Sequence, residues 1–350
     1  MIRSFFKLIL ILLPLSLAMY AAGRYSEDRN NTRLMAQPKL IEDKAKIADK
    51  SEMPTAKPVQ KSPEPLRAIA LANEVPFAKI PGVALPNVRN VRSGVAIDLV
   101  KRRVLWAKNA DAVNPVASLS KTLTTLIALE ACAEAGGKLK LSTQIPISAA
   151  ARSTEDSSFL RKYPNKSVSM EELMLSAMVH SCNDSCVSIA EAIDGGSDRF
   201  AKRMNERAKN LGIRVGDKAA SFHNPNGLPI KKEGVEVSQN SCSVNDLFRI
   251  VIELHKHPKV FAWTRQPEWR LPVGAKNAVL VTNTNPLVGQ EGVIGLKTGF
   301  TYAAGWCICC VYNSGGTHVA VIVTGCPSKA TRNSAAAEVL AWSKKAAKQP

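Results

Sequence analysis

Two side chains in the segment VASLSKTL, residues 116–123, are spaced so that they could act as a nucleophile and its base. Ser118 and Lys121 lie three residues apart, so on a helix they share a face and the lysine amine can reach the hydroxyl. A lysine normally holds its proton at neutral pH, but burial, nearby positive charge and a helix N-terminus all lower its pKa. A helix-capping serine followed by a surface lysine has the same pattern, so the tetrapeptide alone leaves both interpretations open.

Two later tripeptides supply groups of matching chemistry. SCN at residues 181–183 interrupts a helical segment and offers a second hydroxyl and an amide, and KTG at residues 297–299 follows an apolar stretch typical of a strand. The glycine of KTG allows the backbone of this strand to approach a ligand closely. Each tripeptide alone is almost uninformative. In the order SxxK, SxN and KTG, the three form the signature of penicillin-recognising serine enzymes.

Further segments accompany these motifs in the order found in one known family. From about Ser93 to Trp342 the chain resembles the D-alanyl-D-alanine carboxypeptidases of peptidase family S11, the low-molecular-mass penicillin-binding proteins. The resemblance implies an α+β fold of the serine β-lactamase and penicillin-binding-protein type, an antiparallel sheet flanked by helices with an all-helical subdomain. It implies neither a metal nor a cofactor. The segments that carry it are AIDLVKRRVLWAKNADAVNPVASLSKTLT, SSFL at 157–160, NPNGL at 224–228, NTNPLV at 283–288 and GLKTGFTYAAGWC.

The resemblance also assigns catalytic roles to individual residues. Ser118 corresponds to the acylated nucleophile and Lys121 to its base, while Ser181 would relay the proton to the leaving D-alanine. Asn183 would orient the substrate amide. The backbone N–H groups of Ser118 and Phe300 would form the oxyanion hole.

A second set of residues is expected to hold the substrate. By the same resemblance, Lys297 and Thr298 would bind the terminal carboxylate of the peptide, next to Gly299 and Phe300. Arg332, in the last predicted helix, matches a family arginine near the carboxylate site. Ser120 is expected to be a helix residue without chemistry.

The implied ligands are peptidoglycan stem peptides that end in D-Ala-D-Ala, with β-lactam antibiotics as covalent inhibitors. Class A β-lactamases add a deacylating glutamate in a Glu-x-x-x-Asn segment, and the corresponding stretch RVGDKAASFHNPNG contains no glutamate. Slow release of penicillin is therefore expected. An endopeptidase of the same family that cleaves D-Ala-containing cross-links is the closest alternative, because residues 342–350 are expected to close the catalytic domain and short members include endopeptidases. A non-catalytic penicillin sensor is less favoured, since the constellation is complete.

The first 75 residues differ in character from the rest of the chain. Residues 1–22 place Arg3 and Lys7 beside an apolar run, the layout of a secretory signal, with cleavage near Ala18 or Ala22 and retention as an inner-membrane anchor as alternatives. Residues 23–75 are rich in proline and charge and predict a linker. The catalytic domain is predicted over residues 80–345, in the periplasm or cell envelope.

The charge and cysteine content narrow the set of partners. The net charge is +18 and most of it follows residue 67, which in an exported protein favours anionic lipid or envelope polymers over nucleic acid as a partner. A basic surface that only keeps the protein soluble is an equally good interpretation. The eight cysteines lack the spacing of a disulfide framework or a zinc site, so we expect buried, apolar thiols. If GWCICCVY and HVAVIVTGC pair around NSGG, Cys309 lies opposite about Ala320 and Cys307 opposite about Ile322.

Strands at both ends of this domain with helices between them predict an α+β arrangement whose sheet is completed by both ends. A capping box at 169–172 predicts a helix start, and Asp184 is expected to cap the next helix. The predicted elements are strands at 95–99 and 103–107 and helices from 118 to the glycines 136–137, from 244 to 255 and from 333 to 345.

Overall fold

A five-stranded antiparallel sheet forms the centre of the structure, a computed structural model that describes residues 69–350 except 135, 158, 164 and 273–277. Its strands run in the order β11-β12-β13-β1-β2, so the first two strands lie beside the last one. This confirms the prediction that both ends of the domain complete the sheet. The strands are β1 (Ser93–Asp98), β2 (Arg103–Lys108), β11 (Val293–Thr301), β12 (Gly305–Ser314) and β13 (Thr317–Cys326).

The β12–β13 hairpin has a tighter turn than the sequence suggested. Gly315 and Gly316 both have positive φ, 57° and 74°, as a two-residue hairpin turn requires. The strands therefore continue into the predicted loop and Cys309 pairs with Ile322, two residues beyond the predicted partner. Cys307 lies at a register shift between its neighbours. The predicted register was wrong because four residues were assigned to a turn that needs two.

Nine helices and eight short strands make up the remaining regular structure of the described residues. A 3₁₀ turn, Ala117–Ser120, leads into the first helix. The helices are α1 (Lys121–Ala133), α2 (Ala149–Arg152), α3 (Phe159–Lys162), α4 (Met170–Val179), α5 (Asn183–Asp194), α6 (Ser197–Asn210), α7 (Val244–Leu254), α8 (Pro258–Thr264) and α9 (Lys329–Ala346). The short strands are β3 (Asn114–Pro115), β4 (Gln144–Pro146), β5 (Ser167–Ser169), β6 (Ile230–Lys232), β7 (Val235–Ser238), β8 (Ser241–Cys242), β9 (Glu268–Pro272) and β10 (Ala278–Thr282).

The sheet divides the apolar core into two layers. Alternate residues of a strand point to opposite faces, so Val95 and Ile97 pack towards the helical region while Ala96 packs towards α9. On the α9 side, Trp342 and Trp106 contact Phe77. Residues 69–75, which the sequence assigned to the linker, pack on this unit: Ile69 is buried and Val75 bonds to the backbone of β2.

Helix α1 lies in the middle of the helical region. Every residue from Lys121 to Leu129 is buried, so the helix has no solvent face and the lysine at its start is buried with the rest. Among the described residues, no helix combines the length and apolarity needed to cross a bilayer. The predicted leader, residues 1–22, and the predicted linker up to residue 68 lie outside the described residues.

Helix starts are only partly as predicted. Ser169 and Glu172 form the expected capping box at the start of α4. Asp184 does not cap α5, because the helix begins one residue earlier, and its carboxylate instead accepts from Leu160 N at 2.7 Å. The N–H groups of Asn183 and Asp184 are bonded by Ser157 Oγ at 3.1 and 3.3 Å. The loop around Ser157 therefore caps α5 from another part of the chain.

Candidate active site

Ser118 lies in the 3₁₀ turn that precedes α1, half-buried at the helix N-terminus. Ala117 before it adopts φ 49°, a conformation that costs a non-glycine residue free energy and occurs often at functional sites. Ser120 Oγ donates to Ala117 O at 2.9 Å and so holds the turn closed. N–H groups at a helix start have no partner within the helix, so this turn offers donors to an anionic atom.

The side chain of Lys121 is fully buried directly behind Ser118. Its Nζ lies 2.7 Å from Ser118 Oγ, 2.7 Å from Asn183 Oδ1 and 2.5 Å from the carbonyl oxygen of Asn226. Burial lowers the pKa of Lys121 from its ordinary value. The last two partners are oxygens that can only accept, so they occupy both hydrogens of a neutral amine. Its lone pair is then left to face the Ser118 hydroxyl, the arrangement of a base with its nucleophile.

The SxN motif occupies the break between α4 and α5. Ser181 has φ 68°, and Cys182 N folds back to bond to Ser176 O at 3.2 Å. Asn183 is 5% exposed, and its Nδ2 donates to Asp156 O at 3.1 Å. This bond orients the amide so that its oxygen faces Lys121. The break therefore brings the Asn183 side chain to Lys121. Ser181 lies in the same break, two residues before Asn183.

The KTG motif lies on β11, the edge strand of the sheet that faces the nucleophile turn. A Cβ atom added to Gly299 would lie 3.0 Å from Ser118 N and 3.2 Å from Leu119 N. Glycine thus lets the strand pass close to the turn. The role predicted from the sequence, a close approach of this backbone to a ligand, stays a prediction. Thr298 is nearly buried, and its Oγ1 bonds to Thr284 Oγ1 at 2.7 Å.

Lys297 is as deeply buried as Lys121 but has a single hydrogen-bond partner among the described residues. Its Nζ donates to Thr298 O at 2.8 Å. The pKa of Lys297 is well below its ordinary value, first because of burial and then because of repulsion by Lys121 and Arg332. Two donor positions of the ammonium group are thus unused within the described part of the chain.

Arg332 and Phe300 flank the end of β11. Arg332 is 2% exposed; its guanidinium bonds to Asn333 Oδ1 at 2.7 Å and lies 5.5 Å from the centre of the Trp306 ring. Phe300 stacks on the same Trp306 ring, with the two ring centres 4.3 Å apart, and remains 41% exposed. Tyr302, 85% exposed, packs edge-on against Phe300. Arg332 therefore reaches the site as a nearby charge and not through a direct contact with Lys297.

The site as a whole is rich in buried basic side chains. Within residues 69–350, gaps aside, Lys121, Lys297 and Arg332 are each at most 2% exposed and none forms an ion pair with a carboxylate. Buried charge without an opposite partner is costly. A binding site for an anion, placed beside a nucleophile and its base, accounts for that cost.

Sequence comparison identifies the family of the chain. The sequence profile of the D-alanyl-D-alanine carboxypeptidases, peptidase family S11, matches residues 83–328. The chain belongs to this family. Among curated relatives, the D-alanyl-D-alanine carboxypeptidase DacF of Bacillus subtilis is 30% identical over 75% of this chain and 65% of its own length. A D-alanyl-D-alanine endopeptidase of Pseudomonas aeruginosa is 28% identical over 69% of this chain and 74% of its own.

Solved structures are similar to this family member across the same region. Penicillin-binding protein D2 of Listeria monocytogenes in its cefotaxime-bound form superposes with a TM-score of 0.63 at 25% identity, over 75% of this chain and 99% of that one. The same protein in its ampicillin-bound form gives a TM-score of 0.62 at 26% identity. The predicted α+β penicillin-binding-protein fold is confirmed.

Sequence reasoning missed two hydrogen-bond partners in this S11 peptidase, both of which also make contacts through their backbone. Asn226 contributes a carbonyl oxygen to Lys121, and Thr284 bonds to Thr298 while its own N–H donates to Val179 O at 3.0 Å. Both belong to segments that resemble the family, NPNGL and NTNPLV. Their position in those segments was the available signal, but a backbone contact leaves no residue-type pattern.

The cysteines beside the S11 site are packed thiols. All eight cysteines are free, and Cys182 and Cys186 are buried below Lys121. Burial raises the pKa of both thiols, to about 11 for Cys186, so they are neutral at physiological pH. This agrees with the expectation of apolar packing.

Proposed function

We propose that this protein is a serine-type D-Ala-D-Ala carboxypeptidase that removes the terminal D-alanine from peptidoglycan stem peptides through an acyl-enzyme on Ser118. The observation that carries the proposal is the environment of Lys121, whose two carbonyl partners leave the amine lone pair directed at Ser118 Oγ. Family membership supports the reaction class.

Acylation follows from these contacts. The neutral Lys121 amine takes the Ser118 proton as Oγ attacks the carbonyl carbon of the penultimate D-alanine. The N–H groups of Ser118 and Phe300 stabilise the oxyanion that develops. Ser181 passes the proton to the nitrogen of the leaving D-alanine, the C–N bond breaks, and an ester on Ser118 remains.

Deacylation reverses the roles. A water molecule attacks the ester carbonyl while Lys121 accepts one of its protons. The ester bond then breaks, Lys121 returns this proton to Ser118, and the shortened peptide leaves as a carboxylic acid that gives its proton to solvent. In a β-lactam the leaving nitrogen stays tethered to the acyl group by the opened ring. It remains in the site and obstructs the water, so penicillin acts as an inhibitor that is released slowly.

Substrate recognition is assigned to the charged side of the cleft. The terminal carboxylate of the substrate would bind Lys297 and Thr298 and lie close to the positive charge of Arg332. This carboxylate would be the anion that the buried cations lack in the protein alone. Asn183 would receive the substrate amide beside Lys121. A peptide without a free carboxylate would leave the buried cations unpaired and bind poorly.

The decisive experiment combines covalent labelling with product analysis. The protein is incubated with a fluorescent penicillin and digested for mass spectrometry, and we expect the adduct on the peptide that contains Ser118. Ser118→Ala should abolish labelling, and full labelling of that variant would refute the nucleophile assignment. Incubation with pentapeptide muropeptides should release D-alanine.

Cleavage of cross-links is the second candidate activity. The match to the Pseudomonas aeruginosa endopeptidase covers a larger share of that protein than the match to the Bacillus subtilis carboxypeptidase does, 74% against 65%. Incubation with purified cross-linked muropeptides distinguishes the two activities. Monomeric products formed faster than D-alanine would make the protein an endopeptidase, with Ser118, Lys121, Ser181 and Asn183 in unchanged roles.

The proposed location is the cell envelope, where peptidoglycan lies. Residues 1–22 would direct export or remain as an anchor, residues 23–75 would act as a linker, and residues 80–345 would form the catalytic domain. Fractionation of cells expressing the full chain, followed by mass analysis of its N-terminus, tests this. Recovery in the cytoplasm with an intact leader would contradict it.

A further inference from the structure

Two adjacent polar residues, Gln239 and Asn240, are buried between the nucleophile turn and the KTG strand. Gln239 is 6% exposed and Asn240 is fully buried. They lie in the short connection between β7 and β8, outside the three motifs. Burying two amide side chains is unfavourable unless every polar atom finds a partner, so their contacts indicate what holds them there.

Asn240 uses its full hydrogen-bonding capacity. Its Oδ1 accepts from His223 N at 2.7 Å and from Asn224 N at 3.3 Å, while its Nδ2 donates to Asn224 O at 2.8 Å and to Ser120 Oγ at 3.0 Å. Its backbone oxygen also accepts from Val116 N at 3.0 Å. One side chain thus connects the NPNGL loop to the turn that carries Ser118.

The loop held by Asn240 is the one that supplies a partner to Lys121. Asn226, two residues after Asn224, places its carbonyl oxygen 2.5 Å from Lys121 Nζ. Gly227 has φ 80°, and a Cβ atom there would lie 2.3 Å from Ala117 O, so the loop rests directly on the turn. A displacement of this loop would therefore move an acceptor away from the amine.

Gln239 makes the corresponding contact on the other side of the cleft. Its Oε1 accepts from Thr301 Oγ1 at 2.8 Å, and Thr301 Oγ1 accepts from Ala304 N at 3.1 Å. Thr301 ends β11, two residues after Gly299. The dipeptide therefore connects to the nucleophile turn through one residue and to the KTG strand through the next.

We propose that Gln239 and Asn240 are positioning residues that hold the Asn226 carbonyl against Lys121 and set the gap between the Ser118 turn and β11. The inference rests on the proposed function and deepens it by assigning the second layer of its site. Neither residue touches the reacting atoms. Asn240 acts through the Asn226 carbonyl and Gln239 through the end of β11.

The two residues should give different kinetic signatures. Asn240→Leu keeps the branched shape of the side chain, with two methyl groups in place of the amide atoms, but removes its four side-chain hydrogen bonds, so the Asn226 carbonyl is released and the Lys121 amine is less well directed. Acylation by penicillin should slow about 10–100-fold, within the range that misplaced catalytic groups cost. Protonated Lys121 would also lose one of its three acceptors. Its pKa should fall, and the acid limb of the acylation rate should move to lower pH.

Gln239→Leu should slow acylation without moving that limb, because it contacts β11 and not the partners of Lys121. Asn205→Leu is the matched control for Asn240→Leu. Asn205 donates to Phe222 O at 2.7 Å and accepts from Phe222 N at 3.0 Å, so it holds the base of the same loop without touching the turn. It should lower stability and leave the acid limb in place.

Two further measurements keep the test decisive. If Asn240→Leu does not fold, Ser120→Ala removes the bond from Asn240 to the nucleophile turn together with the bond from Ser120 to Ala117 O. It leaves the bonds between Asn240 and the NPNGL loop in place and should move the acid limb in the same direction by a smaller amount. NMR titration of the Lys121 side chain in the Asn240 variant should show the lower pKa without any substrate, so the result stands even if the protein fails to acylate. An unchanged Lys121 titration, or equal effects in the Asn205 and Asn240 variants, would overturn the proposal.

Discussion

Two lysines of the same site, both fully buried, have opposite hydrogen-bonding environments. Among the residues that the structure describes, Lys121 has three oxygen partners, whereas Lys297 has one, the carbonyl of the next residue. Burial lowers the pKa of both. The base is therefore complete before any ligand arrives, while the other lysine is left with donors for a ligand to use. Residue type and burial do not separate the two roles; the number and kind of partners do.

The largest effect on the acylation rate is expected when Lys121, the lysine with three oxygen partners, loses its amine. Lys121→Met removes the base and keeps an apolar side chain of similar length, so acylation of Ser118 by penicillin should slow about 10²–10⁴-fold. The acid limb of the wild-type rate should lie below the ordinary lysine pKa of 10.5, because burial lowers the pKa and the neutral amine persists to lower pH. The limb should disappear in the variant. Stopped-flow acylation across pH measures both, and a retained limb would assign the proton to another group.

Lys297→Met tests whether the lysine with unused donors binds the substrate carboxylate. The loss of one partner of a buried charge pair costs about 2–5 kcal/mol, so the substrate with a free carboxylate should lose that much in kcat/KM. Its C-terminal amide should already be poor for the wild type and should change little. The ratio of kcat/KM for the free acid over the amide is the readout. A ratio that survives the substitution would place the carboxylate elsewhere.

Gly299→Ala changes the distance between β11 and the turn that carries Ser118 without removing either lysine. The new Cβ would lie 3.0 Å from Ser118 N, so the strand or the turn must shift by a few tenths of an ångström. We expect acylation to slow about 10-fold or more, because small displacements of reacting groups are costly. Gly315→Ala in the β12–β13 turn, far from both lysines, controls for loss of a glycine. Equal rates in both variants would show that the close approach has no catalytic role.

The smallest predicted effect is on the stability of the fold, and it is a gain, whereas the effects above are losses of activity. Lys297→Met replaces a buried cation that has no carboxylate partner, so the fold should gain about 1–4 kcal/mol while the substrate site is lost. The folded state lowers the pKa of Lys297, so the wild type carries this cost below the folded-state pKa and loses it as pH rises towards 10.5. The gain in Tm should therefore be largest at low pH. Lys121→Met, which leaves two carbonyl oxygens without their donor, should show no such gain.

Part of the site was predictable because its chemistry is local in the sequence. The spacing of Ser118 and Lys121 and the capping box at Ser169 depend on neighbours a few residues apart. These features are present in the structure as predicted. The roles assigned to the individual site residues remain predictions for the experiments above: Ser118, Lys121, Ser181, Asn183, Lys297, Thr298, Gly299, Phe300 and Arg332.

Other features depend on contacts between distant segments and were not predictable. Asp184 has the residue type of a helix cap, yet Ser157 takes that role and the Asp184 carboxylate bonds to Leu160 instead. The hairpin register was wrong by two residues because either a two-residue or a four-residue turn suits the same sequence. Local preference could not choose between alternatives that differ only in their tertiary partners.

The sequence by itself determined the family, the order of the reacting groups and the elements that carry them, because motif spacing and hydrophobic pattern are properties of the chain. Only the tertiary structure decided which buried lysine is surrounded by carbonyl oxygens and which is left for a ligand. Asn226, Gln239 and Asn240 act through hydrogen bonds that join segments tens of residues apart or more. Such bonds form only once the core has brought those segments together. The protonation of a buried amine depends on such bonds as well as on burial.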